Sequence, residues 1–272
     1  DITDVRSLII LKEAVDILVF FIDYFKNNNV KAIDSSHIGV RLNSNLIPKI
    51  AGRLFNIPYY TAHARSIVYY PEPHQQYREE GRRFSSYHKY FIKLPEKEQS
   101  DGIAYAKERI ERRFSGEVGV DMTYSTKSAF STAENSTSVV KISNRIKVLV
   151  CTHEFYDSPN CYGGLLFMDF YEWLLHLVDI SVKTDYDWYI KTHPDVIPLS
   201  EKIIKEFSKS NPNFTIIPKN TSFHQLAKDG ISHVLTCYGT VGQECPLLGM
   251  SVINAGNNPH MGYNFNYHPK SL

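Results

Sequence analysis

Apolar and polar positions along this chain fall into two regimes. From residue 146 onward, short apolar runs alternate with amphipathic stretches. The pattern predicts strands at 146–151, 187–191, 214–217, 233–237 and 251–254, separated by helices at 165–182, 199–209, 221–228 and 241–249. Strands joined by helices in this order predict a parallel, doubly wound α/β sheet with right-handed crossovers. Before residue 142 the signal is less regular. Helical spacing over 7–27 stops at Asn27-Asn28-Asn29. A strand at 30–34, a helix at 44–55 and a strand at 57–61 follow, and then a charged helical stretch over 75–114 that Pro95 divides in two. Residues 125–143 are rich in Ser and Thr and read as a loop or linker. These patterns predict two domains, 1–142 and 143–272.

In open sheets of this kind, ligands bind at the carboxyl ends of the strands. Two of the predicted strands end abruptly in polar residues. Trp188-Tyr189-Ile190 runs into Lys191-Thr192-His193-Pro194, and His233 to Cys237 runs into Tyr238-Gly239-Thr240-Val241-Gly242-Gln243-Glu244. Thr240 has the chemistry of a helix N-cap, which would leave the amides of Val241, Gly242 and Gln243 facing an anion such as phosphate. Gly242 would let backbone approach a ligand, and Glu244 would accept bonds from sugar hydroxyls. The same spacing of Thr240 and Gln243 also fits an ordinary capping box. His193 offers a donor for a phosphate or leaving-group oxygen, with Lys191 as a nearby charge.

Weaker candidates lie elsewhere. The cluster His153 to Pro159 ends the first strand of the second domain, and Gly163-Gly164 leads into its helix. Asp34-Ser35-Ser36-His37 and Thr61-Ala62-His63-Ala64-Arg65 follow strands of the first. Asp185-Tyr186-Asp187 matches a metal-binding pattern, but it precedes its strand and so belongs to the opposite edge of the sheet. No His-Glu-x-x-His, Walker loop or Gly-x-Gly-x-x-Gly occurs, which disfavours zinc hydrolysis, P-loop chemistry and ordinary dinucleotide binding.

Composition narrows the classes further. The 272 residues are 43% hydrophobic and 22% charged, with a net charge of +1. That balance suits a globular protein and argues against a general nucleic-acid binder. Cys151, Cys161, Cys237 and Cys245 form no Cys-x-x-Cys pair and read as reduced, buried thiols of a cytosolic protein. The three Asn-x-Ser/Thr sequons carry little weight in that setting. No continuous apolar run reaches the roughly 18 residues that a membrane span requires. The chain opens at Asp1 without an initiator Met, as expected of a trimmed sequence.

The pair His193-Pro194 and the pattern Gly239-Thr240-x-x-x-Glu244-x-x-x-x-Gly249-x-x-Val252 resemble the C-terminal domain of bacterial surface-polysaccharide transferases of the capsule-synthesis type. Among these are the Kdo transferases of capsule assembly, with sialyl- and polysialyltransferases and CDP-glycerol polymerases more distant. The similarity covers about residues 146–256. It implies a GT-B fold of two Rossmann-like domains, with a nucleotide-sugar donor in the C-terminal domain and the glycan acceptor mainly in the N-terminal one. It implies neither a metal nor a further cofactor. It assigns donor contacts to His193, Pro194, Ser222, Thr240, Val241 and Gly242, beside Lys191, Gly239 and Glu244 from the reading above. An acidic-acidic-Gly motif that supplies a base in sialyltransferases is matched by Glu79-Glu80-Gly81, which nominates Glu80 beside His193 for catalysis. The resulting expectation is a cytoplasmic transferase moving a sugar, CMP-linked Kdo in preference to a UDP- or GDP-sugar, to a surface glycan. Such an enzyme would associate peripherally with assembly machinery at the inner face of the membrane. The alternatives are a sugar-nucleotide epimerase of the UDP-N-acetylglucosamine 2-epimerase type and a noncatalytic glycan-binding domain.

Overall fold

The computed structural model describes residues 4–35, 46–63, 66–70, 87–120, 123, 125–130, 138–156, 165–256, 258 and 260–271. The chain divides into two compact units, Asp1–Glu80 and Gly81–Leu272.

In the first unit, the helix Val5–Asn27 packs on the helix Ile47–Arg53. Phe25, Ala51 and Ile57 are buried between them, with Phe21, Ile22 and Ile33 alongside. Strand β1 (Ile33–Ser35) pairs in parallel with β2 (Tyr59–His63), as the β-α-β reading requires. A further strand, β3 (Ser66–Tyr70), pairs antiparallel with β2, so this sheet is mixed. Ile67, Val68, Tyr69 and Tyr70 are strand-favouring residue types, but so few residues separate them from β2 that the pattern does not mark them as a separate strand. Thr61 to His63, expected beyond a strand end, lie inside β2.

The second unit carries the predicted parallel sheet. Strands β4 (Lys147–Cys151), β5 (Asp187–Lys191), β6 (Phe214–Ile216), β7 (His233–Thr236) and β8 (Ser251–Asn254) lie in the order β6-β5-β4-β7-β8, all parallel. Strand alternation separates two cores. Val148, Val150, Trp188 and Ile190 face the helices Phe170–Ser181 and Pro198–Ser210, where they meet Trp173, Leu174, Ile204 and Phe207. Leu149, Cys151 and Tyr189 face the other way, toward Phe223, Leu226 and Val252. Asp169 caps the first of these helices, accepting from the Tyr171 and Glu172 amides at 2.8 Å each.

The Ser/Thr-rich stretch belongs to this second unit. Phe130 and Val140 are buried in the core, and Ala129 O accepts from Phe223 N at 3.2 Å. One large aromatic among small polar residues escapes a compositional reading. The helix Glu96–Phe114 also joins this unit. Its terminal Phe114 ring sits 4.8 Å from that of Phe130, and Gly116, at φ 91°, ends it. Cys151, Cys237 and Cys245 are free and buried; burial pushes the Cys151 thiol up to about 12 and the other two upward as well. They are therefore protonated, packed side chains rather than nucleophiles. Among the described residues no helix is long and apolar enough to cross a membrane.

Candidate functional site

The carboxyl edge of the second sheet gathers three segments: the turn after β5, the turn after β7 and the end of the helix Glu96–Phe114.

After β5, Thr192 and Pro194 are buried while His193 is exposed. The His193 Nδ1 accepts from the Asp195 amide at 3.1 Å, which places the proton of the neutral ring on Nε2. The turn is braced from outside. Asp195 accepts from the hydroxyl and amide of Thr126, at 2.6 and 3.2 Å. Glu154 accepts from Ile197 N at 3.0 Å and from the Ser200 hydroxyl, thereby holding the start of the next helix. Partial desolvation of the ring is the first cause that holds His193 below the usual imidazole range. Lys191 and Arg113 push the same way and Asp195 and Glu154 oppose them. At neutral pH the ring is therefore an uncharged Nε2–H donor.

After β7, the Gly239 amide bonds Thr236 Oγ1 at 3.2 Å. The helical turn Val241–Glu244 is four residues long and continues as a 3-10 turn, Cys245–Leu248. Its start differs from the sequence expectation. Thr240 is itself helical, at φ −59° and ψ −20°, and its side chain makes no cap. The Gly242 amide bonds Gly239 O at 3.0 Å and the Gln243 amide bonds Thr240 O at 2.9 Å. The amides left without a hydrogen bond among the described residues are those of Thr240 and Val241, one step earlier than expected. Gly242 is required by an interior neighbour, since a Cβ there would lie 2.1 Å from His260 Nε2.

Glu244 is fully buried, and its carboxylate takes the Arg113 Nε–H. Arg113 also reaches Thr240 Oγ1 at 3.4 Å, with its guanidinium 5.6 Å from the centre of the Phe130 ring. The sequence reading did not single out Arg113. A buried carboxylate rarely stands without a cationic partner, so Glu244 in an apolar turn was the available signal, although nothing in the charged 96–114 stretch marks which Arg answers it.

Lys191 is on the strand face opposite the Ile190 core. Its Nζ donates to Lys219 O at 2.7 Å and lies 5.3 Å from the Phe223 ring centre. At 2% exposure it is held down to about 8 by burial. Ser222 is buried and caps the helix Phe223–Lys228, accepting from His224 N at 3.3 Å. His153 stacks on Phe170 with centroids 4.8 Å apart and sits edge-on to Tyr238. Asp185 and Asp187 lie at the amino edge, where Arg145 meets both, at 2.6 and 3.9 Å. Glu79, Glu80, Ser36, His37, Ala64 and Arg65 lie outside the described residues, as do Asp157 to Gly164.

No family model matches this sequence, and no curated protein is similar to it in sequence. Among solved structures, "Thermosulfurimonas dismutans KpsC, beta Kdo 2,4 transferase" is similar in fold. The identity is 15% and the TM-score 0.52, with 89% of this chain and 74% of that one covered.

Proposed function

We infer that this protein is a glycosyltransferase of capsule or surface-polysaccharide synthesis, and that the carboxyl edge of its five-stranded sheet holds a nucleotide-activated sugar. The observation that carries this is that the turns after β5 and β7, at one edge of the parallel sheet, carry the His193 Nε2–H and the unbonded Thr240 and Val241 amides. Together they form a set of donors suited to a phosphate and to the charge it gains on departure. Likeness of fold to a protein named as a Kdo transferase supports the same reading, and a CMP-linked sugar is the donor it favours. In this reading the unit Gly81–Leu272 holds the donor and the unit Asp1–Glu80 the acceptor, in a GT-B arrangement without a catalytic metal.

The acceptor hydroxyl oxygen attacks the anomeric carbon and gives up its proton to a base, for which Glu80 is the candidate. The bond from the anomeric carbon to the donor phosphate oxygen breaks, and its electron pair leaves with the nucleotide. His193, uncharged and donating through Nε2, meets that oxygen as its charge grows. The turn Val241–Glu244 is too short for much of a helix dipole, so its contribution is the two unbonded amides.

The test is a thermal-shift panel of CMP, CDP, UDP and GDP and their sugars in EDTA. At a hundredfold excess over its dissociation constant, one nucleotide stabilises the protein by about 2.7 kcal/mol. Stabilisation by none of them, or only after divalent metal is restored, overturns the reading.

A further inference from the structure

Resting on the assignment of His193 to the leaving oxygen, we propose that Thr126 is a positioning residue for that histidine. By holding the Asp195 carboxylate it leaves the Asp195 amide to meet the ring, and so decides that Nε2 is a hydrogen-bond donor rather than a base.

A neutral imidazole has two tautomers, and the group that meets Nδ1 selects between them. A carboxylate there accepts from Nδ1–H and leaves Nε2 an acceptor, which is the arrangement of a general base. An amide there donates, and the proton is then on Nε2. Asp195 offers His193 both groups. Its amide donates to Nδ1 at 3.1 Å, and its carboxylate is near enough for the charge to be felt at the ring. The chemistry of the turn therefore depends on where that carboxylate is kept.

Thr126 keeps it away from the ring nitrogen. The hydroxyl donates to Oδ1 at 2.6 Å and the amide to Oδ2 at 3.2 Å, so both oxygens are engaged by one residue. That residue is itself fixed, because the chain is anchored a few positions on. Phe130 is fully buried, with its ring 4.8 Å from that of Phe114 and 5.6 Å from that of Phe223, and Ala129 O accepts from Phe223 N. The turn is held on its other side as well: Pro194 is buried, Val196 N bonds His193 O at 3.1 Å, and Glu154 accepts from Ile197 N. His193 is exposed, and its Nε2–H has no hydrogen-bond partner among the described residues. A ring held in this way presents its donor to a leaving oxygen without having to reorganise as charge develops.

Thr126 is exposed, so Thr126→Val removes the hydroxyl without touching the core. Long-range proton–nitrogen NMR spectra of histidine-labelled protein tell a protonated ring nitrogen from a bare one, with no ligand present. The natural protein shows the Nε2–H form of His193. In Thr126→Val the ratio of the Nε2–H to the Nδ1–H form falls by about threefold to tenfold, and Thr126→Ser restores it. The double variant Thr126→Val, Asp195→Ala also returns to Nε2–H, because the amide remains and the competing carboxylate is gone. In transfer assays kcat of Thr126→Val falls in proportion to the share of the Nε2–H form, while KM for the donor stays within about twofold. An unchanged tautomer ratio in Thr126→Val overturns the proposal. A changed ratio with full turnover upholds the hold of Thr126 on the ring and overturns the assignment of His193 to the leaving oxygen.

Discussion

The two edges of the five-stranded sheet hold similar residue types in different ways. At the amino edge, Arg145 meets Asp185 and Asp187, and Asp187 accepts from the Ser143 hydroxyl. A polar cavity of about 450 Å³ opens there, lined by Lys141, Arg145, Thr184 and Tyr186 among others. Asp185 is 80% exposed, and such pairs contribute about 0–1 kcal/mol. At the carboxyl edge the carboxylates hold other groups in position: Glu244, fully buried, holds Arg113, Asp195 holds the Thr126 segment and Glu154 braces the Ile197 turn. A rich supply of charge is thus a poor guide to a ligand site. Donors left unbonded on turns that are braced by their neighbours are a better one.

The largest effect expected from this contrast is at His193. If its Nε2–H meets the departing phosphate, His193→Ala lowers turnover by about a hundredfold to a thousandfold, equivalent to about 2.7–4 kcal/mol, with nucleotide affinity changed only a few-fold. Steady-state transfer assays beside direct binding would check the split. Near-normal turnover would make the His193-Pro194 turn a strand terminus and nothing more.

Lys191 sharpens the comparison from the interior. Its folded pKa of about 8 lies below the ordinary 10.5, so between those values the unfolded chain holds more protons and stability rises with pH. Below about pH 8 both states are protonated and the penalty is constant. Relative to Lys191→Met, which lacks this titration, the natural protein should gain about 2 kcal/mol between pH 7.5 and 10. Urea denaturation of both proteins at the two pH values measures it. A constant difference would mean that the ammonium is solvated. The smallest effect belongs to the amino edge: Asp185→Asn should change stability by no more than about 0.5 kcal/mol and leave nucleotide binding untouched in EDTA. Lost binding would move the ligand, and a metal, to that edge.

The second sheet was legible because its strands are short apolar runs between turn signals. The strands 187–191 and 251–254 fall as the pattern places them. Its loops were legible only as locations. Thr240 has the composition of a cap, but the chain is already helical there. The helix expected to 249 changes to a 3-10 turn at Cys245, with Pro246 inside it and Gly249 left-handed at φ 81°. Lys191 looked like a ligand group because it precedes His193, yet strand alternation turns it inward. Arg113 was invisible because its partner lies 131 positions away, and periodicity reports only on neighbours.

The order β6-β5-β4-β7-β8 also bears on how the second unit is made. Its central strand β4 finds one neighbour only after the helix 170–181 has been synthesised and the other about forty residues later still, where Val148 pairs with His233. Parallel pairings at such separations form late, because loop-closure entropy is paid first. A ribosome-bound chain therefore carries β4 and β5 with an open hydrogen-bonding edge until β7 emerges, and that interval exposes it to chaperones or to wrong pairing.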